Sequence, residues 1–70
     1  MSEPRYAYYT RNRPPAPGAI PGGGLVYAEQ YPERQYVFEI DSMAWGIVVY
    51  QRQLAPWEVM QYELISAPID

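Results

Sequence analysis

Eight of the eleven residues from 14 to 24 are proline or glycine, and no other feature constrains the fold of this chain as much. Proline lacks the backbone N–H that a helix interior or a central strand needs, and glycine has more freedom to lose on ordering. The tract is therefore neither helix nor interior strand. Its first part, Pro14-Pro15-Ala16-Pro17, predicts polyproline II, and Gly22-Gly23-Gly24 predicts a flexible hinge. It divides the chain into a Tyr/Arg- and Pro/Gly-rich segment, 1–24, and a small α+β domain, 25–70.

Seventy residues allow one domain at most. A chain of that size buries only about 60% of its unfolded surface, so its own core leaves it marginally stable. There is no Cys and no His, which removes disulfides, a Cys/His zinc site and Ser-His or Cys-His nucleophilic catalysis. Stability has to come from apolar contact. Eight Tyr, two Trp and one Phe make 16% of the chain aromatic. Rings give large contact area at low entropy cost and suit either a small core or an adhesive surface. No enzyme, metal or cofactor is expected. No apolar run approaches the length of a membrane helix, and the N-terminus lacks the basic-then-apolar order of a signal peptide. A cytoplasmic location is the expectation.

Strand periodicity appears in several places. Tyr6, Tyr8 and Thr10 alternate with Ala7, Tyr9 and Arg11, which predicts an edge strand over 5–10. Residues 25–30 predict a short strand ended by Pro32. Over 35–41, Tyr36, Phe38 and Ile40 share one face while Gln35, Val37, Glu39 and Asp41 share the other, predicting a half-buried strand. Asp41-Ser42 is a turn signal. In the next strand Trp45, Ile47 and Val49 oppose Val48, Tyr50 and Arg52, and Gly46 marks a bulge or a close approach. An antiparallel hairpin joins these two strands. Pro56 suits the first position of a helix over 57–62, with Trp57 and Met60, and Val59 and Tyr62, at i, i+3 spacing. So short a helix must dock on the sheet. Residues 63–66 form a last strand before Pro68. The fold class is α+β: a small antiparallel β-sheet of three to four strands, one short helix near the C-terminus and an irregular Pro/Gly-rich N-terminal segment.

Charge is uneven. Residues 1–24 carry three Arg against one Glu, for +2; residues 25–70 carry two Arg against seven acidic groups, for −5. A net-negative body disfavours nucleic acid. A weaker alternative has Arg5, Arg11 and Arg13 stack with Tyr6, Tyr8 and Tyr9 on a single strand. Glu29, Glu33, Glu39, Asp41, Glu58 and Glu63 predict a solvated acidic face, of which Glu39 and Asp41 are the first candidates to meet a basic partner. The aromatic set Tyr36, Phe38, Trp45, Tyr50, Trp57 and Tyr62 is either core or adhesive face. With one helix covering one side of the sheet, Val37, Val48 and Tyr50 are expected on the uncovered side, as a partner or self-association strip.

Arg11, Pro14 and Pro17 have the spacing R-x-x-P-x-x-P, which resembles the ligands of SH3 domains. The alternatives are that the prolines pack on this chain's own Trp and Tyr residues, or that the tract is disordered. Residues 13–19, Trp45-Gly46-Ile47-Val48-Val49-Tyr50 and the run from Leu54 to Leu64 together resemble small proteins of bacteriophages and bacterial mobile elements. That resemblance spans residues 13–65. It implies an accessory protein that binds a host or defence protein; an anti-defence inhibitor is one form of this. The expected function is a non-enzymatic interaction module, with a self-associating structural or assembly protein as the alternative. Its candidate partner-binding residues are Arg11, Arg13, Pro14, Pro17, Val48, Tyr50, Glu39 and Asp41. The partner is a protein or a second copy of the chain, with nucleic acid unlikely and no membrane.

Overall fold

The computed structural model of the chain describes residues 5–16 and 18–67. Four strands form one antiparallel sheet: β1 (Tyr6–Thr10), β2 (Leu25–Val37), β3 (Ser42–Tyr50) and β4 (Leu64–Ser66), in the order β2-β3-β1-β4. A 3-10 turn, Phe38–Ile40, joins β2 to β3, and one short helix, α1 (Pro56–Gln61), precedes β4. The α+β class, the four-strand count and the single helix near the C-terminus match the expectation.

The hairpin between residues 37 and 42 is also as expected, with Val37 opposite Ser42. Asp41 closes it in the left-handed conformation, φ 50°, and its N–H donates to the Phe38 carbonyl at 3.2 Å. Aspartate accepts this conformation more readily than most residues. Helix α1 begins at Pro56, as the sequence predicts.

Four expectations are corrected. First, β1 is not an edge strand: it pairs with β3 from Tyr6↔Tyr50 to Thr10↔Gly46, and with β4 from Tyr8↔Ser66 to Thr10↔Leu64. Alternation shows that a strand exists, not how many neighbours it has. Second, Pro32 does not end β2. The register between β2 and β3 shifts between Gln30 and Gln35, so the residues around Pro32 fall outside the ladder. A proline is tolerated at such a bulge in an edge strand, where no partner needs its N–H. Third, residues 35–41 are not one strand: β2 ends at Val37, and Phe38 and Tyr36 are exposed. Fourth, the Val48 and Tyr50 face is the covered one.

That face carries the core, made of Tyr8, Ile20, Val48, Tyr50, Leu54 and Leu64, with Tyr6, Val59 and Tyr62 packed against it. Val48 and Tyr50 are 0% exposed. Their cover comes from two segments together. The proline tract supplies Ile20 and the buried Pro15 and Pro21, while Leu54 and α1 close the other end. Pro15 approaches Gly46 so closely that an added Cβ there would lie 2.8 and 2.9 Å from the proline ring. The close approach expected at Gly46 is therefore made by the proline tract together with the Glu29 carbonyl of β2, which would lie 2.3 Å from that Cβ. The glycines expected to act as a hinge are tied down: the Gly24 carbonyl accepts the Gln51 N–H at 2.8 Å, and the Gly23 carbonyl accepts Arg52 Nε–H at 2.8 Å. The Tyr50 hydroxyl donates to the Pro21 carbonyl. Tyr8 and Tyr50 meet edge to face, centroids 6.1 Å apart, a favoured ring geometry.

Candidate protein-interaction surface

The four most exposed large apolar side chains among the described residues fall in two places, with Tyr27, Leu25 and Val26 less exposed at the start of β2. Phe38 (88% exposed) and Tyr36 (55%) occupy the β2–β3 hairpin tip; Met60 (79%) and Trp57 (62%) occupy the outer side of α1. Scattered surface apolars are ordinary, but ring and thioether side chains gathered on defined elements are the material of interfaces.

The tip is held by hydroxyl–carboxylate pairs. Tyr36 donates to Asp41, and Tyr9, from the middle of the sheet, donates to Glu39. Burial first, then this bond to Glu39 and its charge, raise the Tyr9 hydroxyl above its ordinary pKa. The bond to Asp41 raises Tyr36. Tyr31 is raised by burial and by Glu29 and Glu39, so these groups share one acidic neighbourhood. Glu39 is thus drawn back onto the sheet while Phe38, its neighbour in the turn, points outward.

On the helix, Glu58 is the organising residue. It was expected on a solvated acidic face; instead it is buried. Arg52 grips its carboxylate with both terminal nitrogens at 2.9 Å, and the Ala55 N–H donates to it at 2.9 Å. The Arg52 bonds, followed by the Ala55 bond, bring the Glu58 pKa down to about 2. A carboxylate at the third helical position satisfies an amide that the helix start leaves open. This fixes a six-residue helix that has no stability of its own. Val59 and Tyr62 then face the core, and Trp57 and Met60 face outward. Beside them lies an open groove of ≈640 Å³ whose lining includes Tyr8, Leu54, Val59 and Met60.

The sequence-predicted site residues separate. Val48 and Tyr50 are core and have no surface to offer a partner. Glu39 and Asp41 are engaged with Tyr9 and Tyr36. Arg13 pairs with Glu63 at 2.8 Å, which, with Asn12, lowers the Glu63 pKa. Pro14 is half-buried, and Pro17 lies outside the described residues. Arg11 is exposed and shares a small cleft with Arg34, a residue the sequence did not single out. Trp57 belongs to the aromatic set read as core or adhesive face, and Met60 enters only through its helical spacing with Trp57; that i, i+3 spacing marks one face but not whether it turns inward. Among the described residues, no three acidic groups gather closely enough to hold a metal ion, and no helix is long and apolar enough to cross a membrane.

No curated protein and no solved structure matches the chain. A family described as Defence against restriction A C-terminal does, over residues 3–69. The match contains the whole sheet, α1 and the proline tract. It is consistent with the phage and mobile-element setting drawn from residues 13–65 and is more specific than that resemblance. The chain therefore belongs to the Defence against restriction A C-terminal family.

Proposed function

We propose that the chain is a non-enzymatic protein-interaction module of a phage or mobile element. It counters restriction by occupying the surface of a host or defence protein, in the cytoplasm of the host cell. One observation carries this reading: Phe38, Met60, Trp57 and Tyr36 stay exposed although the turn after β2 is bonded to Tyr9 of β1 and α1 is bonded to Arg52 just past β3. Anchors held in place before binding lose little entropy when they bind. The family's description supports the setting. The chain's net charge of −3 disfavours nucleic acid as the partner.

The alternative, a self-associating assembly protein, is favoured by β2, a thirteen-residue strand at the sheet edge. Edge strands pair readily, yet a bulge and a proline blunt such pairing, and β2 has both.

The two readings separate in one experiment. The tagged chain and a Phe38→Ser/Trp57→Ser variant are each used for affinity capture from restriction-proficient cells, with mass spectrometry of what is retained. A stoichiometric partner held by the native chain and lost by the variant supports the module. An empty capture, together with a defined oligomer in sedimentation equilibrium, supports self-association instead.

A further inference from the structure

The five arginines are not equally engaged. Arg13 pairs with Glu63 and Arg52 with Glu58, and Arg5 is also engaged. The side chains of Arg11 and Arg34 make no hydrogen bond or ion pair among the described residues. They come from distant parts of the chain, Arg11 just after β1 and Arg34 from the bulged stretch of β2. Both line one polar cleft of ≈240 Å³, with Asn12, Ser42 and Met43.

We infer that this cleft receives a carboxylate borne by an acidic side chain of a protein partner. Each guanidinium presents a planar fork of N–H donors that matches a carboxylate's two oxygens. Two like charges lining one cleft repel each other until an anion enters, so binding relieves a repulsion as well as making bonds. A nucleic-acid phosphate is the poorer occupant. Glu63 lies against Asn12, Asp41 directly precedes Ser42, and the chain carries −3 overall. A polyanion meets that whole field, whereas one carboxylate meets chiefly the two arginines. The surroundings also suit a protein. Tyr36 is paired with Met43 across the hairpin, and the exposed Phe38 follows two residues later. Arginine beside exposed rings is the composition of an interface hot spot.

This inference rests on the module reading, and its test is independent of that reading's test. The ¹⁵N-labelled full chain is titrated with the peptide N-acetyl-Phe-Asp-Glu-Leu-amide and, separately, with oligothymidylate. The side-chain Nε–H signals of Arg11 and Arg34 and the amides of Ser42 and Met43 are followed. The peptide should shift them saturably, with a dissociation constant on the order of 1 mM. Arg11→Gln/Arg34→Gln should weaken binding at least about tenfold, while Arg5→Gln, at the other end of β1, should leave it unchanged. Both arginines are exposed, so circular dichroism of the double variant should match the native chain. No shift with peptide, or equal binding by the double variant, overturns the proposal. Tighter binding of oligothymidylate at the same signals overturns it in favour of a phosphodiester. If the peptide fails while Phe38- and Trp57-dependent capture stands, the cleft assignment falls and the module remains; the converse result leaves the cleft and removes the module.

Discussion

Tyr50 and Phe38 are both rings on the same hairpin, and their surroundings differ in every respect that matters. Tyr50 sits on a strand with β1 on one side and β2 on the other, beneath Ile20 and Leu54. Its hydroxyl has a partner in Pro21, and burial pushes its pKa up to about 12, against the opposing pull of Arg52. Phe38 lies where the ladder has ended and the chain is turning, so no strand flanks it. A side chain's place on an alternating strand says which side it takes; neighbours and cover decide whether that side is inside. The same chemical group therefore stabilises one end of the hairpin and is left for a partner at the other.

The contrast can be broken most decisively at Tyr50. Tyr50→Ala removes a fully buried ring from the centre of the core and should cost about 3–5 kcal/mol. That approaches the whole stability of a small domain, roughly 5 kcal/mol at the low end. Circular dichroism and urea titration should find the variant largely unfolded. Native-like melting would mean that the proline tract does not seal this face. Gly46→Ala comes next. Its Cβ would lie 2.3 Å from the Glu29 carbonyl oxygen as well as against Pro15. Since a backbone atom in a strand pair has little room to yield, a loss of about 2–3 kcal/mol is expected in the same assay.

Acid and alkali sharpen the comparison at two separate points. Glu58 has an ordinary pKa of 4.5 and a folded pKa of about 2. Its contribution to stability is complete above pH 4.5 and is lost as the pH falls from there towards 2. Denaturant midpoints of Glu58→Gln should therefore be flatter over that window than those of the native chain. Glu63, lowered by Arg13, adds to the native slope in the same direction. At the other end Tyr50 has the opposite sign. Its neutral hydroxyl is favoured by folding, so its contribution is complete below pH 10 and is lost as the pH rises towards 12. Absorbance titration should show a native tyrosine fraction that ionises only with unfolding, and Tyr50→Phe should make that fraction smaller.

Local chemistry was legible in the sequence, and long-range placement was not. Pro56 at a helix start, Asp41 in a turn and the restricted space at Gly46 each follow from what one residue type does to its own backbone. The position of β1 between β3 and β4 depends instead on partners about forty to sixty residues away, about which periodicity is silent. For the same reason the covered face of β3 was assigned to the wrong side. The expectation of an uncovered side counts the helix alone as cover, while Ile20, Pro15 and Pro21 come from the tract whose packing on the chain's own rings the sequence left as one of several alternatives. Pro32 misled because a proline ends a strand only where its N–H is needed, and the bulge removes that need. The Arg11–Arg34 cleft was beyond reach, since it exists only once β2 has passed Pro32 in this register.

The smallest expected effect on stability is also the most diagnostic of the surface. Phe38→Ser removes a ring that is 88% exposed, so little burial is lost on replacing it. The bonds that shape the tip, Tyr36 to Asp41, Tyr9 to Glu39 and the Asp41 N–H to the Phe38 carbonyl, do not use its side chain. Urea midpoints should therefore stay within about 0.5 kcal/mol of the native chain. In the capture experiment the same substitution should reduce retention of the partner on its own, with Trp57→Ser adding to the loss. A Phe38→Ser chain that melts early would place the ring in the fold after all, and the two ends of the hairpin would cease to differ in kind.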